Sequence, residues 1–219
     1  MKVNTDGVLL GAAMTVKPSD RRMLDVGTGT GTIALMAAQR SGGTAQIDAI
    51  DIDEPSATEA AANFAASPWP HALNVHHTSL DEFSSETEYD LIFSNPPYFE
   101  DSLLAPQERR SQARHTATGL SYRELLDFAK VALSENGRFS IVLPADQELA
   151  LCRYARMCGL HLFRILRVRT VPRKVPARII AEFSRHRYES AAEELLTIQN
   201  EGKYTDEYLS LTRDFYLFA

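Results

Sequence analysis

The chain has 219 residues, 44% of them hydrophobic, and a net charge of −6. That length buries roughly 70% of the unfolded chain's surface, enough for one sizeable α/β domain without staples. Cys152 and Cys158 have no second pair for a zinc site and read as reduced thiols. The short apolar run Val8–Met14 behind Asp6 makes neither a signal peptide nor a membrane span, so a cytoplasmic protein without a metal is expected.

Apolar and helical patterns alternate along the chain. Strands are predicted at Arg22–Val26, Gln46–Asp51, Leu73–Thr78 and Tyr89–Phe93, with helices near Thr32–Arg40 and Pro55–Ala66. After a polar loop come a helix near Tyr122–Leu133, a strand at Phe139–Leu143 and a helix near Asp146–Cys158. This βαβ alternation predicts an α/β fold, a doubly wound Rossmann-like sheet that is mostly parallel. The β-branched, Arg-rich segments Leu162–Val171 and Arg178–Tyr188 predict an antiparallel edge hairpin, followed by a strand at Leu195–Gln199 and a short helix at Thr205–Leu211. No repeat, low-complexity tract or linker interrupts the pattern. Residues 1–219 therefore read as a single domain, with 160–219 supplying the antiparallel edge strands and C-terminal helix.

The first strand runs into Asp25-Val26-Gly27-Thr28-Gly29-Thr30-Gly31-Thr32, and a helix follows. Glycines at this point let the backbone turn sharply at a helix N-terminus, at the carboxyl edge where open α/β sheets bind ligands. A dinucleotide fingerprint needs its third glycine at position 32, which is Thr32. The acid at Asp25 disfavours a neighbouring pyrophosphate and suits an amino group. Asp51, ending the second strand, is placed to accept from ribose hydroxyls. An ammonium, a ribose and no phosphate describe S-adenosylmethionine. Ser79, after the third strand, sits where adenine could be contacted.

The fourth strand stops at Asn95-Pro96-Pro97-Tyr98-Phe99. Proline has no N–H and a fixed φ, so the chain leaves the sheet there as a stiff step. The step is expected beside the glycine loop, across the switch point. The Asn95 side-chain carbonyl and the Pro96 backbone carbonyl can hold both hydrogens of a planar amine, with Pro96 and Pro97 fixing the geometry. Tyr98 or Phe99 offers a face for a flat base or amide.

Charge is uneven along the chain. Between His161 and Tyr188 lie Arg164, Arg167, Arg169, Arg173, Lys174, Arg178, Arg185 and Arg187, against the single acid Glu182. Such a stripe suits phosphates, and Arg167, Arg169, Arg173 and Lys174 are candidate nucleic-acid contacts. Arg109, Arg110, Arg114 and His115, in the polar loop after the Asn95 step, are a second candidate grip, with Arg109 and Arg114 foremost. Thr5-Asp6-Gly7 ahead of an apolar run reads as a helix N-cap, and Trp69 as a packing anchor.

Asp25-x-Gly27-x-Gly29-x-Gly31 with Asn95-Pro-Pro-Tyr98 resembles the class I methyltransferases that modify exocyclic or amide nitrogens. More narrowly, Lys2-Val-Asn-Thr-Asp-Gly-Val-Leu-Leu-Gly-Ala12, Ser67-Pro-Trp69, Ala113-Arg-His115, Glu182-Phe-Ser-Arg185 and Tyr204-Thr-x-Glu-Tyr208 with Leu211-Thr-x-Asp-Phe-Tyr216 resemble the bacterial tRNA1(Val) adenine-N6 methyltransferases. The resemblance covers nearly the whole chain. It implies methyl transfer from S-adenosylmethionine to N6 of an adenine in a tRNA anticodon loop, adenine 37 of tRNA1(Val), with S-adenosylhomocysteine released and no obligatory protein partner. It also implies that residues 1–20, Asp6 included, lie over the cofactor cleft. Members ordinarily carry a further stretch ahead of the Lys2 segment, so a trimmed start or an incomplete cleft cover is expected. The Asn-Pro-Pro-Tyr step is shared with enzymes that methylate protein glutamine amides or ribosomal RNA bases, which are the alternatives. A non-catalytic S-adenosylmethionine-binding RNA module would have no use for Asn95 and Tyr98.

Overall fold

A computed structural model describes residues 4–85, 87–97 and 120–216. In chain order its elements are α1 (Thr5–Ala13), β1 (Arg22–Val26), α2 (Thr32–Arg40), β2 (Gln46–Asp51), α3 (Glu54–Ala66), β3 (Leu73–His77) and β4 (Tyr89–Ser94). Then come α4 (Tyr122–Ala132), β5 (Leu133–Pro144), a short 3-10 turn at Ala145–Gln147 and α5 (Glu148–Met157). The chain continues with β6 (His161–Arg169), β7 (Arg178–Ser184), β8 (Ala192–Thr197), β9 (Gln199–Asn200), β10 (Lys203–Tyr204) and α6 (Asp206–Thr212).

The main sheet has the order β3-β2-β1-β4-β5-β7-β6-β8. Strands β1 to β5 pair in parallel, β7 runs antiparallel to both β5 and β6, and β8 extends the sheet parallel to β6. The doubly wound, mostly parallel sheet read from the sequence is therefore the observed one. The Arg-rich hairpin lies one strand in from the edge, with β8 outside it. The pair β9 and β10 forms a separate two-stranded ribbon.

Side-chain alternation divides the core between the two faces. Met23, Ile47, Leu91 and Phe93 pack with α1, α2, α3 and α6, whereas Leu24, Ile50, Ile92 and Phe139 pack with α4 and α5. The strand β5 starts earlier than the sequence predicts, at Leu133 opposite Tyr89, and its register then jumps to Arg138 opposite Leu91. The Ser134-Glu-Asn-Gly137 segment thus bulges out of a continuous strand, where composition alone reads as a turn.

Helix α1 is buried from Gly7 to Ala13, as expected of a helix that is apolar all round. A Cβ on Gly11 would lie 2.6 Å from the sulfur of Met36, so the glycine permits close packing of α1 on α2. The C-terminal carbonyls of α1 are held by arginines. Arg40 Nη1 donates to Gly11 O at 2.8 Å and Met14 O at 2.7 Å, and Arg164 Nη1 donates to Ala13 O at 2.7 Å. Cations at this end also complement the helix dipole. The next turn is tied down by Glu182, which accepts from Thr15 N, Thr15 Oγ1, Ser140 Oγ and Arg164 Nη1 at 2.7–2.9 Å. The N-terminus of α1 is thereby fixed relative to the sheet.

Trp69 lies over Gly43, whose missing side chain leaves room for the indole. Both cysteines are free thiols, and burial together with Asp127 pushes Cys158 up to about 11. Among the described residues no helix is long and apolar enough to cross a membrane.

Candidate active site

The same alternation that buries Met23, Ile47, Leu91 and Phe93 on the α2 face sends Asp25, Asp51 and Asn95 to that face, at the carboxyl ends of three adjacent strands. Gly27, Gly29 and Gly31 all have positive φ, at 72°, 57° and 80°, a region that side-chain-bearing residues rarely enter. The Gly27 and Thr28 amides both donate to Ile50 O, at 2.9 and 3.0 Å, pinning the turn to β2. At Gly31 space adds to backbone, because a Cβ there would come within 2.4 Å of the Phe64 ring.

Asp51 Oδ2 accepts from Gly29 N at 2.7 Å and Oδ1 accepts from Asp53 N at 2.9 Å. Each carboxylate oxygen keeps a second lone pair for an outside donor. Asp25 sits beneath the turn and is fully buried. Its Oδ2 accepts from Thr28 Oγ1 at 2.7 Å, but Oδ1 has no partner in hydrogen-bonding geometry. Burial pushes its pKa up to about 7, against the lowering influence of Thr28 and the Ala34 amide. An unmatched buried carboxylate of this kind favours a nearby cation or donor. The glycine turn, the Asp51 acceptor and the unmatched Asp25 oxygen together fit the ammonium and ribose of S-adenosylmethionine.

Strand β4 lies beside β1, with Ser94 opposite Val26, and Ser94 Oγ donates to Val26 O at 2.7 Å. Asn95 and Gly27 therefore leave the sheet side by side, the juxtaposition expected of the switch point. Asn95 is half-buried, Pro96 buried and Pro97 exposed. Asn95 Nδ2 donates to Asn4 Oδ1 at 3.3 Å, a contact that sequence reading missed by placing the helix cap at Thr5–Gly7. Asn4 itself is the N-cap, accepting from Gly7 N at 2.7 Å. The signal was present, since asparagine is among the best capping residues.

Asp6, in the first turn of α1, accepts from Arg178 Nε at 2.9 Å and so ties the start of α1 to the start of β7. Ser79 caps a turn after β3, its hydroxyl accepting from Glu82 N at 3.3 Å. Tyr98, Phe99, Arg109, Arg110, Arg114 and His115 lie outside the described residues.

The basic stripe is largely turned to internal use. Arg167 donates to Glu148 at 2.5 and 2.9 Å and to Glu193 at 2.8 Å. Arg164 is shared between Glu182 and Glu194, and these carboxylates hold its pKa well above the usual arginine range despite burial. Arg169 Nε donates to Thr197 Oγ1 at 2.8 Å, and Arg185 donates to the Lys130 and Leu133 carbonyls. Arg173 and Lys174 are exposed in the β6–β7 connection. Because β6 is antiparallel to β7 and β7 to β5, this connection projects from the same edge of the sheet as Asn95.

The Methyltransferase small domain family matches residues 2–152. The chain is 44% identical over 220 residues to a tRNA1(Val) (adenine(37)-N6)-methyltransferase of Bacteroides fragilis, covering 99% of this chain and 91% of that one. Proteins of the same name from Flavobacterium psychrophilum and Salmonella typhi are 40% and 38% identical, covering 99% and 100% of this chain and 93% and 89% of theirs. Among solved structures, a protein of Agrobacterium tumefaciens described as a predicted O-methyltransferase matches with a TM-score of 0.69 at 14% identity, over 94% of this chain and 95% of that one. A TehB-like SAM-dependent methyltransferase of Corynebacterium glutamicum matches with a TM-score of 0.54 at 19% identity, over 82% and 86%. These structural likenesses speak for the fold, and the near-full-length identities for the family. With the glycine turn, the Asp51 carboxylate and the Asn95 step assembled on one edge, the chain is an S-adenosylmethionine-dependent methyltransferase and belongs to the tRNA1(Val) (adenine(37)-N6)-methyltransferase family.

Proposed function

We propose that this chain methylates N6 of adenine 37 in the anticodon loop of tRNA1(Val), in the cytoplasm, and that residues 1–219 act as one methyltransferase domain. The observation that carries the chemistry is the pairing of Val26 with Ser94, which sets Asn95 beside the glycine turn. When bound, S-adenosylmethionine supplies a methyl group on a positively charged sulfur. Gly27, Gly29 and Gly31 receive it, Asp51 accepts from its ribose, and Asp25 offers its unmatched oxygen toward the ammonium. The Asn95 and Pro96 carbonyls accept the two N6 hydrogens and draw the nitrogen out of conjugation, directing its lone pair to the methyl carbon. The N–C bond forms as the S–C bond breaks, and a proton then leaves the methylated nitrogen, which as a cation needs no strong base. Positioning and electrostatics do most of this work. Tyr98 is assigned base stacking on its sequence position alone. An unpaired loop base costs little to splay out, which suits an enzyme of this size. Arg173 and Lys174 are assigned to phosphate contacts because they are exposed at the catalytic edge.

The test is methylation of unmodified tRNA1(Val) by the purified protein, with the modified nucleoside mapped by mass spectrometry. N6-methyladenosine at position 37 is expected, with no methylation of a glutamine peptide. Asn95→Ala should lower the rate by about two orders of magnitude and leave cofactor affinity almost unchanged. Methylation of the peptide and not of the tRNA would overturn the reading.

A further inference from the structure

We infer that the outer face of α5 is a second phosphate-binding surface, which carries the backbone of the anticodon stem away from the catalytic edge. The inference rests on the tRNA substrate proposed above and adds a surface that neither the Asn95 step nor the β6–β7 connection supplies.

Helix α5 buries Leu151 and Ala155 against the sheet and turns Leu149, Ala150, Arg153, Arg156 and Met157 to solvent. These five positions recur at helical spacing and form one continuous face. The face holds two arginines and no acid. Two neighbouring acids are committed elsewhere, because Glu148 accepts from Arg167, and Asp127 on α4 accepts from Tyr154 Oη at 2.8 Å and from Cys158 Sγ at 3.4 Å. Past Met157 the chain reverses at Gly159, whose φ is 76°, and enters β6 at His161. There Arg187, three residues beyond the end of β7, joins the face. Burial, and then repulsion from Arg187 and Arg156, lowers the pKa of His161, so the charges acting on that imidazole are both cations. A cation in the last turn suits the helix dipole, which accounts for Arg156. It does not account for Arg153 a turn earlier, for Arg187, or for an acid-free solvent face on a chain of net charge −6.

The track begins where the tip contact ends. Ala145 N, in the turn that leads into α5, donates at 3.1 Å to Ala177 O, at the end of the connection that carries Arg173 and Lys174. The ten residues of α5 then span about 15 Å from the catalytic edge toward the opposite edge, where His161 of β6 lies opposite Ser184. The target base is unpaired, but the strand that carries it continues into a duplex whose phosphates lie further from the catalytic edge. Such a duplex is recognised through its backbone and shape rather than its base edges. Arginines spaced along a helix meet that need, and the apolar side chains between them, Leu149 and Met157, leave no negative charge in the way. A second copy of the chain does not fit the surface, because two such faces would set arginine against arginine.

The test compares wild type with the triple variant Arg153→Gln/Arg156→Gln/Arg187→Gln and with Arg153→Lys/Arg156→Lys/Arg187→Lys, which keeps the charge. Each is assayed for tRNA1(Val) affinity across a salt series, affinity for an oligonucleotide of the anticodon loop without its stem, steady-state kinetics, S-adenosylhomocysteine calorimetry and Tm. The glutamine variant is expected to reduce the slope of log affinity against log salt by about 2, the loss of three phosphate contacts, and to raise KM for tRNA about tenfold at unchanged kcat. Its cofactor affinity, Tm and affinity for the loop oligonucleotide should stay within error of wild type. The lysine variant should keep the wild-type slope. If wild type methylates tRNA1(Val) and the glutamine variant keeps its slope and KM, the α5 face does not hold RNA, and the proposed function stands without it. Binding to anionic phospholipid vesicles that is lost in that same variant would then give the face to a membrane. Loop-oligonucleotide binding weakened as much as tRNA binding would overturn the assignment to the stem. A wild type that leaves tRNA1(Val) unmethylated would overturn the proposed function and this inference with it.

Discussion

Among the described residues two carboxylates are completely buried, Asp25 under the glycine turn and Glu182 in β7, and their surroundings are opposite. Glu182 accepts four hydrogen bonds, from Thr15 N, Thr15 Oγ1, Ser140 Oγ and Arg164 Nη1. Asp25 accepts from Thr28 and feels the Ala34 amide, but one of its oxygens has no partner in good hydrogen-bonding geometry. A buried network with every member satisfied makes a rigid support, whereas one left incomplete carries a standing penalty that a ligand can relieve. The contrast separates the part of the molecule that holds α1 in place from the part proposed to receive the cofactor.

Removing the satisfied carboxylate should have the largest effect on stability. Glu182→Ala leaves Arg164 and Thr15 without their shared acceptor, and a broken buried pair costs about 3–5 kcal/mol. Denaturant unfolding should show that loss, with Glu182→Gln distinctly milder because it retains an acceptor oxygen. If the alanine variant loses less than about 1 kcal/mol, the network is not the support it resembles.

Asp25→Asn should act in the opposite direction. The folded carboxyl holds its proton up to about pH 7, while in the unfolded chain it ionises near 4. Between those values the folded state binds more protons, so the contribution of Asp25 is present below about pH 4 and is lost as pH rises toward 7. Asparagine does not titrate. The difference in unfolding free energy between Asp25→Asn and wild type, both without cofactor, should therefore shift in favour of the variant from pH 5 to pH 8, by a few kcal/mol at most, and the Tm difference should follow it. Calorimetry at pH 8 should show weaker S-adenosylhomocysteine binding by the variant, since its amide offers the ammonium no charge. A pH-independent Tm difference would mean that Asp25 is already ionised and matched.

The same distinction explains what was legible in the sequence. The glycine turn and the Asn95 step are each written in consecutive residues, and the alternation of Leu91, Phe93 and Asn95 along one strand announces the shared face. Strands β1 to β4 and helix α2 fall within a residue of their predicted bounds for that reason. The Asn4–Asn95 bond spans 91 positions and joins a helix cap to a strand end, so no local pattern carries it. The partners of the Arg-rich stripe are hidden in the same way. Glu182 is the single acid within it, but Glu148, Glu193 and Glu194, which complete the ion pairs, come from α5 and β8. A charge count along the chain cannot see that the folded sheet pairs Arg164 and Arg167 with these distant acids.

The smallest and most specific prediction extends the comparison from acids to cations. Arg167 is held by two carboxylates, and an arginine so engaged has little free charge with which to displace counterions from a phosphate. Arg173 and Lys174 are exposed in a connection that starts with Lys174 N bonded to Val171 O, at the edge that also bears Asn95. Binding of tRNA1(Val) should therefore respond to the tip and not to the sheet. Replacing Arg173 and Lys174 by glutamine should reduce the slope of log affinity against log salt by about 1.5, the loss expected of two phosphate contacts. Replacing Arg167 and Arg169 by glutamine should leave the slope unchanged within about 0.3, while lowering Tm through the loss of their bonds to Glu148, Glu193 and Thr197. Fluorescence anisotropy across a salt series measures both. Equal slopes for wild type and the Arg173/Lys174 variant would move the RNA contact to Arg109 and Arg114. A flattened slope for the Arg167/Arg169 variant would mean that these carboxylates release their arginines when RNA arrives, so that pairing in the free protein marks a reserve of charge rather than its consumption.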